Sequence, residues 1–517
     1  MNVAITLFLL IATVAQGTFI VLFLEHNQPG LTNFSLLCLL GAAYFAAFTY
    51  VWVNRRVNQS LSTVLGAGWL TRIITIIASA ALVYIALDNL VFDYFQAVTT
   101  SDPVIYTMLA SWVALLIANG VALIDSFINT GERLIKSTGA TVIAVLGLPI
   151  MVLVNVITSP APSAALTISN DVFVGGVDGY KVYRIPAMLV IPKGALLANK
   201  TRLKSERIVV MAEARLEGAL DTGPIDLVQK TSDDGGLTWS KQQLICQYIV
   251  NGDHGKCGNA TPLFDSQSGQ LVLAYNLSGI PGNKPEGQRH HTSHVKFSDD
   301  GGKTWDNGSK LNMPNSVFGP GHGIQKQHAP FKHRLVIPYN TSVGGQGSSM
   351  AMYSDDSGST WQFGEKLGTG NENELAESAN GDILMATRHI AGIGNPPEPN
   401  GRLFSTSTDG GHSWSSPRLD ENLLTPICQA SLIKANDVNG MFFLNPANEA
   451  ARVQLTLRYS PDNGANWTKS FVVTPGPAGY SQLAQLSDDS IAMLYENGAL
   501  SYSQKISFAL LSSKSFK

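Results

Sequence analysis

The residues whose types and spacing first suggest chemistry in this 517-residue chain are aspartates in a repeated setting. Asp234, Asp300, Asp356, Asp409 and Asp462 each stand third in an octet, written SDDGGLTW, SDDGGKTW, SDDSGSTW, STDGGHSW and SPDNGANW. A catalytic or calcium-binding reading of these carboxylates fails on number: five equivalent turns make five equivalent places, and one active site cannot use them all. A scaffold reading fits better. Asp at the third position bonds amides of the turn that follows, Gly at the fifth permits a positive φ, and Trp at the eighth is a large apolar anchor. His290, His291 and His294 cluster in QRHHTSH without metal-ligand spacing, while His322 in GPGHGI is placed where it could face a pocket. Cys38, Cys246, Cys257 and Cys428 are too few for a disulfide scaffold and also lack metal-ligand spacing. They allow one bridge among the last three, or free buried thiols. No metal and no cofactor is implied.

The elements that must position any site follow from the repeats. The octets begin at Ser232, Ser298, Ser354, Ser407 and Ser460, at intervals of 66, 56, 53 and 53 residues. Between them RIVVMAEAR, QLVLAYNL, HRLVIPYN, DILMATRH and SIAMLYEN read as short strands bounded by turn residues. A period of about 50 residues with several strands in each points to a β-propeller of four-stranded blades, and about 350 residues at that period makes six or seven. The domain is expected over 172-517, after a linker at 161-171.

Residues 1-160 read differently. They hold five basic residues, Arg55, Arg56, Arg72, Arg133 and Lys136, and five apolar runs at 3-24, 34-53, 73-92, 104-127 and 139-158. Each run is about the 20 residues a helix needs to cross a hydrocarbon core, so an all-α transmembrane region in a lipid bilayer is expected. The basic residues fall in or beside the loops after the second and fourth runs, which the positive-inside rule assigns to the cytoplasm. The amino terminus is then cytoplasmic and everything after about 160 lies on the exoplasmic side, in a periplasm, cell exterior or lumen. A net charge of -3 gives no reason to expect nucleic acid.

The octets, together with YRIPAM (Tyr183 to Met188), GPGHGI (Gly319 to Ile324) and HRLVIPY (His333 to Tyr339), resemble the sialidase (neuraminidase) family and its Asp boxes. The resemblance covers about residues 172 to 517 and implies a six-bladed propeller. It implies an arginine triad of Arg184 in YRIP, Arg388 in MATRH and Arg452 in NEAARVQ, each near a box. Sialic acids carry a carboxylate on the anomeric carbon, and guanidinium groups, always charged, bind carboxylates through paired donors. In ARLEGALDTGPIDLV the resemblance places Arg215 beside the sugar's 4-position and makes Asp221 the general acid/base. Asp226 and Glu217 are nearby rivals, Asp226 being more simply structural. In NENELAESANGDILMATR, Glu372 lies sixteen residues before Arg388 and resembles the glutamate that assists the nucleophile. Glu377 completes the E-x-x-x-x-E pattern, and Glu374 reads as a solvated loop charge.

Tyr480 in GYSQLAQL resembles the family's nucleophile, and Glu496 in LYEN a residue that orients Arg184. Sialidases are the tyrosine exception among glycosidases. A carboxylate nucleophile would meet the substrate's own carboxylate, and two like charges 4 Å apart repel by about 4 kcal/mol at an effective dielectric near 20. A phenol avoids this but, with a pKa near 10, needs a base. The implied activity is an exo-α-sialidase that releases terminal sialic acid, with retention, from sialylated glycoproteins, glycolipids or oligosaccharides. Alternatives are a glycosidase for a related nonulosonic acid of the KDN type, a trans-sialidase, and a membrane-bound sialoglycan sensor without activity. Oligomeric state is not legible. Within the expected domain six glycosylation sequons begin, at Asn199, Asn259, Asn276, Asn307, Asn340 and Asn466.

Overall fold

The computed structural model describes residues 166–513, apart from positions 222, 251, 314, 450 and 500 and the stretches 280–290, 342–346, 390–400 and 437–438. The five apolar runs expected to span a membrane lie outside the described residues. Among those described, no helix is long and apolar enough to cross a membrane.

The described chain is built of strands. All the runs read as strands are strands, including Arg207–Arg215, Gln270–Ser278, Leu335–Thr341, Ile383–Arg388 and Ile491–Asn497. They join into largely antiparallel arrays, the larger ones of seven and eight strands and the others of five, four and two; in the eight-stranded array Ile225 pairs with Lys256 in parallel. Within the seven-stranded array the 17-residue strand Lys469–Gln485 pairs twice. Its first half lies against Val453–Ser460 and its second half against Ile491–Asn497. The domain boundary needs one correction. Residues 166–171, expected to be linker, begin the strand Leu166–Val174, which pairs with Lys505–Leu511 at the other end of the domain. The alternation in LTISNDVFV suits a half-buried strand, and without it the Lys505–Leu511 strand would expose an unpaired edge.

The core lies between neighbouring arrays. One cluster joins Phe173, Tyr183, Val210 and Phe508, and another joins Leu263, Phe318, Ile337 and Met352. The octets act as the scaffold turns their composition implies. In each, the first Ser accepts the amide of the fifth residue at 2.8 or 2.9 Å. In the first, Asp234 accepts both the Thr238 amide, at 3.0 Å, and its hydroxyl, at 2.5 Å. Gly236 shows why glycine is required: its φ is +88° and a Cβ there would lie 2.2 Å from the Phe508 ring. Trp239 packs edge-on to the same ring, so the first turn is anchored to the strand Lys505–Leu511 at the other end of the domain.

Cys246 and Cys257 form a disulfide, and Cys428 is a free buried thiol. Asn276 and Asn340 are buried within strands, with their amides bonded to Ser316 and Val317 carbonyls, so these two sequons cannot carry a glycan.

Candidate active site

The site is assembled at strand ends. Arg184 stands on Val182–Ile191, Arg215 ends Arg207–Arg215, Arg388 ends Ile383–Arg388, and Glu496 stands one residue from the end of Ile491–Asn497. Glu372 and Arg452 immediately precede strands that start at Asn373 and Val453. Two bulges aim the side chains. The pairing slips between Arg184 and Ala187, where Ile185 has φ 56°, and again between Ala478 and Ser481, around Tyr480. Bulges recur beside active sites because the extra residue re-aims a neighbour out of the pleat.

Glu496 ties these two bulges together. Fully buried, it accepts the Ile185 amide at 2.8 Å, the Tyr480 amide at 3.0 Å, and Arg184 Nε and Nη2 at 3.1 and 3.3 Å. The guanidiniums of Arg184 and Arg452 lie 5.2 and 5.3 Å from the centre of the Tyr480 ring. Arg388 donates to the Tyr480 hydroxyl at 3.0 Å. Three arginines widely separated in sequence thus converge on one phenol. That hydroxyl in turn donates a short hydrogen bond to Glu372 Oε1, and Arg388 holds Glu372 Oε2 at 2.6 Å. Burial pushes the Tyr480 phenol well above its ordinary range and Glu372 adds to the rise, while Arg388 and Arg452 oppose it. A buried phenol hydrogen-bonded to a carboxylate can pass its proton to that carboxylate.

Asp221 lies on the loop between two strands, with a side chain 44% exposed. It accepts Arg215 Nη2 at 2.7 Å and lies 3.6 Å from Arg184 Nη1. Enclosure by the cleft favours the neutral acid, but Arg215, Arg184 and Lys256 outweigh it and hold the carboxyl well below its usual range. Arg215 is almost wholly buried and also donates to Glu213 at 2.6 Å.

All eight residues read from the sequence as site residues are therefore brought together, with Glu496 in support. Asp226 is structural: buried, it takes the Tyr180 hydroxyl at 2.8 Å and meets His254 at 2.7 Å. Glu217 is exposed, its carboxylate near Gly223. Glu377 pairs with buried Lys326 at 2.9 Å and turns away from Glu372. Glu374 corrects the reading of a solvated charge. It is fully buried, two residues along the strand and hence on the same face as Glu372, with His322 Nδ1 at 2.8 Å. Burial raises its pKa, with His322 opposing. Among the described residues no cluster of His, Cys, Asp and Glu could hold a metal ion. His294 instead bonds Thr292 at 3.0 Å, and His290 lies outside the described residues.

Sequence reasoning missed Glu213, Lys256 and Tyr502. Glu213 is two residues before Arg215, so strand alternation alone puts the two on one face. Lys256, 3.4 Å from Glu213, comes from a distant strand and carries no local signal. Tyr502 receives Arg184 and Arg452 at 5.3 and 5.0 Å from its ring centre and closes the far side of the pair.

Comparison with known proteins identifies the family. A family model described as a BNR repeat-like domain matches residues 207–495. The chain belongs to that family. Over 363 residues it is 31% identical to a sialidase of Micromonospora viridifaciens, a match covering 66% of this chain and 53% of the relative. It thus spans about half the length of that curated relative. Among solved structures it is similar to the Hadza microbial sialidase Hz136, with TM-score 0.58, 21% identity, and 68% and 69% of the two chains covered. It is similar also to a leech intramolecular trans-sialidase complexed with 2,7-anhydro-Neu5Ac, with TM-score 0.55, 18% identity, and 68% and 71% covered. The BNR-repeat chain therefore has an all-β, sialidase-like fold.

Proposed function

We propose that the protein is an exo-α-sialidase, a glycoside hydrolase that releases terminal sialic acid with retention through a covalent Tyr480 intermediate. The observation that carries this reading is the convergence of Arg184, Arg388 and Arg452 on a tyrosine whose hydroxyl already donates to Glu372. The sialidase relatives support the substrate class. Leaving aside the two-residue strands Ile249–Val250, Asp253–His254 and Ile324–Gln325, the described strands group into six antiparallel sets of four, Lys469–Gln485 being shared by the last two and Leu166–Val174 completing the last, which supports a six-bladed propeller.

In this mechanism the three guanidiniums seat the substrate carboxylate. That carboxylate competes with Asp221 for Arg184 and adds a like charge beside it, so binding itself favours a protonated Asp221. The Tyr480 oxygen bonds to C2 as its proton passes to Glu372. The C2–oxygen bond to the aglycone breaks, and Asp221 protonates the leaving oxygen. Water, deprotonated by Asp221, then displaces Tyr480, which recovers its proton from Glu372. Two inversions at C2 give retention. No metal or cofactor is required at any step.

The test is turnover of a fluorogenic sialoside by the wild type and by Tyr480→Phe and Asp221→Ala. Both variants should lose most turnover while keeping the wild-type fold. Near-wild-type activity in either removes that residue from the mechanism, and inactivity of the wild type on every nonulosonic acid glycoside favours a sialoglycan sensor. The leech neighbour supports a second reading, transfer rather than hydrolysis. Products distinguish the two: free sialic acid for hydrolysis, 2,7-anhydro sugar or sialyllactose for transfer.

We also propose that the five apolar runs anchor the domain in a bilayer on its exoplasmic side. The Cys246–Cys257 bridge supports an oxidising compartment. Protease added to intact cells should cut the domain, and full protection would overturn this orientation.

A further inference from the structure

Beside the arginine triad the fold buries another guanidinium that the mechanism above does not use. Arg402 stands directly opposite Arg388 across two paired strands, Ile383–Arg388 and Arg402–Ser407, and cross-strand partners share a face. It is fully buried. Nη1 donates to the Cys428 carbonyl at 2.9 Å, whereas Nε and Nη2 meet no hydrogen-bond partner among the described residues. Cys428 itself packs against Tyr480.

Two like charges side by side in a dry interior are unfavourable unless an anion lies between them. Two anions are near. Glu374 already has partners, His322 at 2.8 Å and Gln429 at 3.3 Å. Glu372 is the other, and it is the principal group drawing Arg402 toward its charged form against burial. Burial brings the Arg402 pKa down to about 10, so the guanidinium stays protonated at neutral pH.

We propose that Arg402 is a positioning residue for the reacting pair: its charge, acting behind Arg388, keeps Glu372 the carboxylate that receives the Tyr480 proton. The inference rests on the sialidase reading and deepens it. Glu372 is bonded by Tyr480 and Arg388, and its carbonyl accepts the Arg388 amide at 2.7 Å, so Glu372, Arg388 and Arg402 follow one another across adjacent strands; Glu374 lies two residues on, and Cys428, Arg452 and Glu496 surround Tyr480. Arg388 contacts the reacting atoms directly. Arg402 acts only through charge, so its removal should change when Glu372 is ionised more than how substrate is seated.

The experiment compares Arg402→Gln and Arg402→Met, both uncharged, with Arg402→Lys. On a fluorogenic sialoside the acid limb of the kcat/KM profile should rise by on the order of one pH unit in the uncharged variants, the usual scale for an opposite charge nearby. KM should change little, and Lys should restore the limb to its wild-type position. A purely structural Arg402 would lower stability or turnover without moving the limb, and an unmoved limb in a folded uncharged variant overturns the proposal. Should neither uncharged variant fold, Lys decides: an unmoved limb supports the proposal and a displaced one refutes it. A wild type without turnover refutes the sialidase reading instead. The Arg402 inference is then decided by infrared titration of the Glu372 carboxylate band, identified by its loss in Glu372→Gln, which must shift in the uncharged variants.

Discussion

Glu496→Gln tests whether one buried carboxylate holds the nucleophile and the triad in register. Wild-type Glu496 accepts four hydrogen bonds, from the Ile185 and Tyr480 amides and from Arg184 Nε and Nη2. Oε1 serves Ile185 and Arg184 Nε, while Oε2 serves Tyr480 and Arg184 Nη2. A glutamine keeps one acceptor oxygen and turns an NH2 group on the other pair, so donor meets donor. Either amide orientation loses two bonds. At about 1.5–3 kcal/mol for each charge-assisted bond, the loss is about 3–6 kcal/mol, in line with the cost of breaking a buried ion pair. Part of it falls on the whole fold and part on the placement of Arg184 and Tyr480, where each 1.4 kcal/mol is about tenfold in rate. The expected result is a clear drop in thermal midpoint together with a kcat/KM on a fluorogenic sialoside lower by about 100-fold or more. A folded variant with kcat/KM within threefold of wild type and an unchanged midpoint would refute the reasoning, because a carboxylate tying two bulges together cannot be replaced without cost.

Two further outcomes follow. Arg388→Lys should weaken binding of an unsaturated sialic acid analogue by about tenfold or more, since a lysine that takes over the Nη1 bonds to Glu372 Oε2 and the Tyr480 hydroxyl has no second nitrogen in a planar fork to pair with the substrate carboxylate; unchanged affinity and rate would remove Arg388 from the triad. Asp234→Asn should leave kcat/KM near wild type and lower stability modestly, confirming an Asp box as scaffold. Hydrogen bonds from Thr238 hold Asp234 down to about 2 from 3.8, so its stabilisation is complete above about pH 4 and is lost as pH falls through 2. Midpoints of wild type and variant should therefore converge in acid, by a small amount because the group is exposed; a gap that widens in acid would contradict this.

The all-β class, the repeat and the scaffold turns were legible in the sequence because they rest on local rules. Strand alternation, glycine at positive φ and a tryptophan every 50 or so residues need no knowledge of what lies across the sheet. Arg184, Arg388, Arg452, Asp221, Glu372, Tyr480, Arg215 and Glu496 were also legible, though only through their family resemblance, since nothing local marks Tyr480 as different from a core tyrosine. Tertiary structure alone decided three things. Strand pairing between the two ends of the domain turned the presumed linker at 166–171 into a strand. Burial made Glu374 a partner of His322 rather than a solvated charge, because its same-face relation to Glu372 points it inward. And the placement of Arg402 beside Arg388, like that of Lys256 beside Glu213, comes from register between strands whose residues are far apart or carry no distinguishing pattern. Local sequence sets which face a side chain occupies; only the packing of the sheets sets which charges it must answer there.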